Sequence, residues 1–247
     1  MQMPDEIGMN RTGNATSPID SRKMGENLED PGIPVAPPIE RSRISAVRTA
    51  YSENAEPVGT VSPPATIKNA VTTGTQMVIG RNPAVFINKL GERLAFERTG
   101  SRLYQAVISR YDALKSASGF PELGELQKVH NDEVSHFEML WEALTELGAD
   151  PTVQTPAADI AGVESTGLMQ VLTDPRTNGA ECLHSLLVAE LADLDGWNML
   201  IELAKSFGHD DLARRFQQAF MEEEEHLQSV RSWITTMTLK ESGTDGK

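Results

Sequence analysis

The chain has 247 residues, 39% of them apolar, enough for a soluble domain with a sizeable core. Its 36 acidic and 22 basic residues give a formal net charge of −14, which excludes a broad polyanion-binding face because phosphate neutralisation needs clustered Lys and Arg. A single cysteine, Cys182, excludes an internal disulfide, and with neither a membrane-length apolar run nor a secretory layout at the N-terminus, a soluble cytoplasmic protein without nucleic-acid or membrane partners is expected.

Residues 1–80 hold nine of the fourteen prolines amid many Ser, Thr, Gly and Asn. Such a stretch does not offset its ordering entropy by burial, which predicts a disordered N-terminal arm. From there the texture changes. Asn82-Pro83 supplies an N-cap and a first-turn proline for a helix over about 83–116. Gly119-Phe120-Pro121 breaks the chain, and a second helix follows over about 121–147, ending at Gly148. Residues 149–179, with prolines at 151, 156 and 175, form a long connection holding one short helix near 165–172. A third helix over about 180–207, a tight turn at Gly208 and a fourth helix over about 210–238 complete the pattern. The expectation is an all-α four-helix bundle over 81–240, two hairpins joined by one long crossover, with a disordered C-terminus at 241–247.

Each helix carries an apolar stripe at three-and-four spacing, and one glutamate interrupts each. The stripes read Leu90, Leu94, Glu97, Ser101, Tyr104, Ile108; then Leu126, His130, Glu133, Phe137, Leu140, Leu144; then Leu183, Leu187, Glu190, Leu194, Trp197, Ile201; then Leu212, Phe216, Phe220, Glu223, Leu227, Val230. His136 and His226 stand three residues after Glu133 and Glu223, a spacing that puts both side chains on one face. Burying a bare carboxylate costs several kcal/mol, roughly, even after relaxation, so four of them call for one shared explanation. Two divalent cations neutralise four carboxylates, and two neutral imidazoles complete the ligand set.

Residues level with one another in an antiparallel hairpin lie equally far from its turn. The midpoint of Glu97 and Glu133 is 115, beside the first break, and that of Glu190 and Glu223 falls at Ser206-Phe207, beside Gly208. The hairpins also repeat: a shift of 93 maps Glu97 onto Glu190 and Tyr104 onto Trp197, and a shift of 90 maps Glu133 onto Glu223 and His136 onto His226. The expected centre is therefore pseudo-twofold.

These features, Glu97 in Leu-Ala-Phe-Glu-Arg-Thr-Gly, Glu133-Val-Ser-His136, Glu190 in Val-Ala-Glu-Leu-Ala-Asp and Glu223-Glu-Glu-His226, resemble the ferritin-like di-iron and di-manganese carboxylate superfamily. The likeness is to its rubrerythrin and erythrin-like branches, without the Cys-x-x-Cys pairs of a rubredoxin module. The resemblance implies that Glu97, Glu133, His136, Glu190, Glu223 and His226 hold two iron ions, or two manganese ions, with Glu133 and Glu223 bridging or capping them. Mixed carboxylate and imidazole donors suit both metals. It also implies an oxidoreductase of peroxidase, ferroxidase or manganese-catalase type, with peroxide, dioxygen or Fe(II) as substrate and a homo-oligomeric assembly. The alternative is a non-catalytic metal-binding or scaffold bundle acting through its N-terminal arm.

Other residues near the stripes carry open readings. Asp193, three residues after Glu190, is either a hydrogen-bond partner for a liganding imidazole or a solvated side chain. Gly100 either leaves room for a ligand or permits close helix packing. Tyr104 and Trp197 are expected in the core, Cys182 as a buried thiol, His130 outside the ligand set, and Glu222, Glu224 and Glu225 on a solvated acidic face.

Overall fold

A computed structural model describes residues 41–61 and 82–244. The elements are α1 (Arg41–Asn54), α2 (Pro83–Ser109), α3 (Tyr111–Leu114), α4 (Leu123–Glu146), α5 (Pro156–Glu164), α6 (Thr166–Thr173), α7 (Gly179–Phe207) and α8 (Asp210–Glu241). No strand occurs among the described residues, and no helix there is long and apolar enough to cross a membrane. The expected disordered arm at 1–80 lies outside the described residues except for 41–61, and 245–247 of the expected C-terminal tail lie outside them too. Within the arm α1 is helical, and its residues 43–54 are all exposed.

The bundle is α2, α4, α7 and α8, and local chemistry sets its helix ends. Asn82 accepts from the Ala84 N–H at 3.2 Å with Pro83 in the first turn, as expected. Asn178 opens α7 with a reciprocal capping box: its side chain accepts from the Glu181 N–H at 3.0 Å and the Glu181 carboxylate accepts from the Asn178 N–H at 2.8 Å. Gly208 ends α7 in the left-handed conformation, φ 79°, which glycine adopts without a Cβ clash and which turns the chain directly into α8.

Two boundaries differ from the sequence reading. The first long helix stops at Ser109, where Arg110 leaves helical geometry at φ −103° and ψ 5° and a single turn, α3, follows. The Arg110 guanidinium reaches across to the crossover, donating to the Leu172 carbonyl at 2.6 Å and the Thr177 carbonyl at 2.8 Å. The crossover holds two short helices rather than one. Thr155 caps α5 by accepting from the Ala158 N–H, and it lies against Gly91 of α2, where no side chain obstructs it.

The core falls into two apolar layers. One gathers Phe86, Leu90, Leu140, Leu144, Trp197, Leu212 and Phe216; the other gathers Leu103, Val107, Leu126, Leu183, Leu186, Val230 and Trp233. On each bundle helix the stripe glutamate sits where one layer gives way to the other. Each buried large apolar side chain contributes about 1.5–3 kcal/mol relative to exposure, so both layers hold the helices around a level that is itself polar.

Candidate metal centre

That level contains all six side chains expected from the sequence. Glu97, His136 and Glu223 are fully buried, Glu190 and His226 are 1% exposed, and Glu133 is 2% exposed. One donor atom from each of Glu133, Glu190, Glu223 and His226 lies within 4.8 Å of the others, and the same holds for Glu97, His136 and Glu223. Glu223 links the two groups. Its Oε1 lies 2.7 Å from His136 Nδ1 and its Oε2 lies 3.2 Å from His226 Nδ1. The lone glutamates complete the halves, Glu97 Oε2 at 3.7 Å from His136 Nδ1 and Glu190 Oε2 at 3.9 Å from His226 Nδ1.

Both imidazoles turn Nδ1 inward, and their Nε2 atoms meet carboxylates on the opposite hairpin. His136 Nε2 is 2.8 Å from Glu222 Oε2, and His226 Nε2 is 3.0 Å from Asp132 Oδ2. Lys128 holds Asp132 at 2.7 Å and Gln218 donates to Glu222 at 3.2 Å. A proton kept on Nε2 by these carboxylates leaves the Nδ1 lone pair for a cation and fixes the ring orientation. Glu222 is thus half-buried and part of the site's support, which corrects its assignment to a solvated face. Asp132 and Glu222 each immediately precede the Glu of a Glu-x-x-His, so the shift of 90 already relates them; that repeated acid was the signal for both.

Around the lone glutamates the halves differ. The Tyr104 hydroxyl donates to Glu190 Oε1. Arg93, 5% exposed, brings Nε to 3.2 Å from Glu97 Oε1 and Nη1 to 3.2 Å from Asp193 Oδ1. Asp193 is accordingly neither solvated nor bonded to an imidazole: it is 2% exposed and paired with an arginine from the other hairpin. Arg93 went unnoticed in the sequence, although it lies one turn before Glu97 on the same face. Gly100 leaves room for a ligand, since a Cβ there would stand 2.1 Å from Glu133 Oε2. Trp197 packs edge-on to His136 with ring centroids 5.4 Å apart. His130 is half-buried beside Asn131 and joins neither group, and Cys182 is a buried free thiol.

The electrostatics show what the donor set calls for. Burial works against charge on His136, but the Glu223 and Glu97 carboxylates facing its Nδ1 push it up to about 11; His226 is likewise opposed by burial and raised by Glu223 to about 9. Burial would raise Glu223, yet the two imidazoles hold it down at about 2. Burial and the Glu223 charge push Glu190 up to about 8 and raise Glu133 and Asp193 well above the carboxylate range. Protons on imidazoles and carboxyls thus supply the positive charge that this cluster demands. Buried donor atoms nonetheless remain without hydrogen bonds, among them both oxygens of Glu97, Glu133 Oε2, Glu190 Oε2, Glu223 Oε1 and His136 Nδ1. Buried polar atoms are nearly always satisfied, and these all face one level, so the donor set fits cations.

The ferritin-like domain family model matches residues 87–239, from the first turns of α2 to the end of α8. The chain belongs to the ferritin-like domain family. Its match spans all four bundle helices and every residue of the buried centre. No curated protein and no solved structure matches the chain. The ferritin-like bundle with its buried carboxylate and histidine groups could therefore hold metal at this level.

Proposed function

We propose that this ferritin-like bundle holds two metal ions, iron first and manganese as the alternative, and acts on peroxide or dioxygen as a peroxidase- or ferroxidase-type oxidoreductase. The observation that carries the reading is the set of unsatisfied donor atoms on Glu97, Glu133, His136, Glu190 and Glu223 at one buried level. Glu97 and His136 would hold one ion and Glu190 and His226 the other, with Glu133 and Glu223 shared between them. Two adjacent redox ions supply the paired one-electron steps that reduction of an O–O bond requires. The chain's own part is to orient the donors and exclude water: Asp132 and Glu222 fix the imidazoles, Tyr104 donates to Glu190, and the two apolar layers close the level above and below. Near-complete burial favours ions and substrates of two to four atoms, hence peroxide, dioxygen or Fe(II), over a bulky organic molecule. The two lone glutamates with two Glu-x-x-His pairs support the rubrerythrin-type reading within the family.

The test is anaerobic loading with Fe(II) followed by dioxygen or peroxide. Loaded wild-type protein is expected to consume the oxidant, whereas Glu133→Ala and His226→Ala lose both metal and consumption. Unchanged metal content in both variants overturns the site assignment. One observation favours a second reading, a non-catalytic metal-binding bundle tethered by its arm: α1 exposes Ile44, Val47 and Tyr51 at helical spacing. Two bound metals with no oxidant consumption would decide for it.

A further inference from the structure

The repeat that relates the two hairpins breaks at three positions beside Glu97 and Glu133. Under the shift of 93, Arg93 corresponds to Leu186, Asp193 to Gly100 and Gly196 to Leu103. The three departures meet in space. Arg93 Nη1 contacts Asp193 Oδ1 at 3.2 Å and donates to the Asp193 carbonyl at 3.1 Å, and a Cβ on Gly196 would stand 1.7 Å from Nη1, so only glycine admits the guanidinium there.

Arg93 also borders a third cluster of donors. One carboxylate oxygen from each of Glu97, Glu133, Asp193 and Glu223 lies within 4.8 Å of the others, an all-oxygen group without imidazole. All four are at least 98% buried, and Glu133 Oε2 among them has no hydrogen-bond partner. Those same four carboxylates are the charges that act on Arg93. Its Nε, with Glu97 Oε1 and Asp193 Oδ1, makes ion-pair contacts without aligned hydrogen bonds, so the guanidinium acts there as a point cation. The charges also balance. The buried carboxylates among the described residues are Glu97, Glu133, Glu190, Asp193 and Glu223, and two divalent ions with one arginine match their five negative charges.

We propose that the Arg93 guanidinium occupies a third cation position of the centre, so that Arg93 limits the bundle to two metal ions and its removal opens an all-carboxylate site for a third. The inference rests on the two-metal reading above. Hard divalent ions favour such an oxygen-only donor set.

The experiment counts tightly bound Mn(II) per chain, by equilibrium dialysis and elemental analysis, in full-length protein. Wild type is expected to hold two, Arg93→Met three, and Arg93→Lys, which keeps a cation, two. Arg93→Met/Asp193→Asn, which removes one of the four carboxylates, returns to two. A rescue by lysine and by loss of Asp193 is not what a merely structural arginine would give. Two Mn(II) in both wild type and Arg93→Met overturns the role of Arg93 while leaving the two-metal reading intact. Three in wild type overturns it even where Arg93→Met does not fold. No Mn(II) in wild type contradicts the two-metal reading, and this inference with it.

Discussion

Glu223 is the residue on which both halves of the centre converge, since its two oxygens face His136 and His226 separately. Its neighbours show how small residues shape such a site. Gly100 costs the helix about 1 kcal/mol against alanine, yet a Cβ there would collide with the Glu133 carboxylate. Gly100→Ala should therefore keep or raise the thermal stability of the metal-free bundle while weakening metal retention, read by melting and by metal content after dialysis; retention equal to wild type would show that Glu133 is not needed where it stands. Protonation gives a second prediction. His136 and His226 are raised from 6.5 to about 11 and about 9, so in the metal-free protein their stabilising charge is complete below about pH 6.5 and is lost as pH rises through 9 and 11. Glu190, raised to about 8, contributes in the same direction, and Glu223, lowered to about 2, contributes fully above 4.5. The metal-free bundle should melt higher near about pH 5.5 than near about pH 9. Cations need the deprotonated donors, so Fe(II) added anaerobically near neutral pH should release protons, detectable with an indicator dye; no release would mean that the metal binds elsewhere.

At the scale of the helices, α4 and α8 exchange support: Asp132 on α4 holds His226 of α8, and Glu222 on α8 holds His136 of α4. Asp132→Ala should lower metal affinity about 10–100-fold without removing any donor, measured by competition with a chelator; an unchanged affinity would reduce Asp132 to a surface contact of Lys128. The helices and turns were largely legible because caps and periodicity are local: Asn82-Pro83, Gly148 and Gly208 mark their ends directly. The six centre residues were legible because carboxylates break an apolar stripe and the turn midpoints agree. Long-range pairings were not. Arg93 finds Asp193 a hundred positions away, so neither residue shows its partner in any local window. The break at Arg110 serves the crossover contacts to Leu172 and Thr177, which are equally distant. Helix α5 did have a local signal, Thr155 before Pro156, which the expectation of a single crossover helix passed over.

For the whole molecule, the proposed metal site makes metal binding and folding one equilibrium. An ion that binds only the folded bundle adds about 4 kcal/mol when its free concentration is about a thousand times its Kd. Removing metal with a chelator should therefore lower the melting temperature by a margin that grows with the prior metal concentration; a melting temperature indifferent to chelation would detach metal from the fold. The apolar layers above and below the centre predict that the chelated bundle still folds, held by its core and by protons in place of cations. The most direct measurement of the central claim is anomalous diffraction at the iron edge from crystals loaded anaerobically with Fe(II). The account predicts two peaks, one against His136 Nδ1 and Glu97 and one against His226 Nδ1 and Glu190, with Glu223 between them. Peaks confined to surface carboxylates, or a single peak remote from both imidazoles, would contradict it.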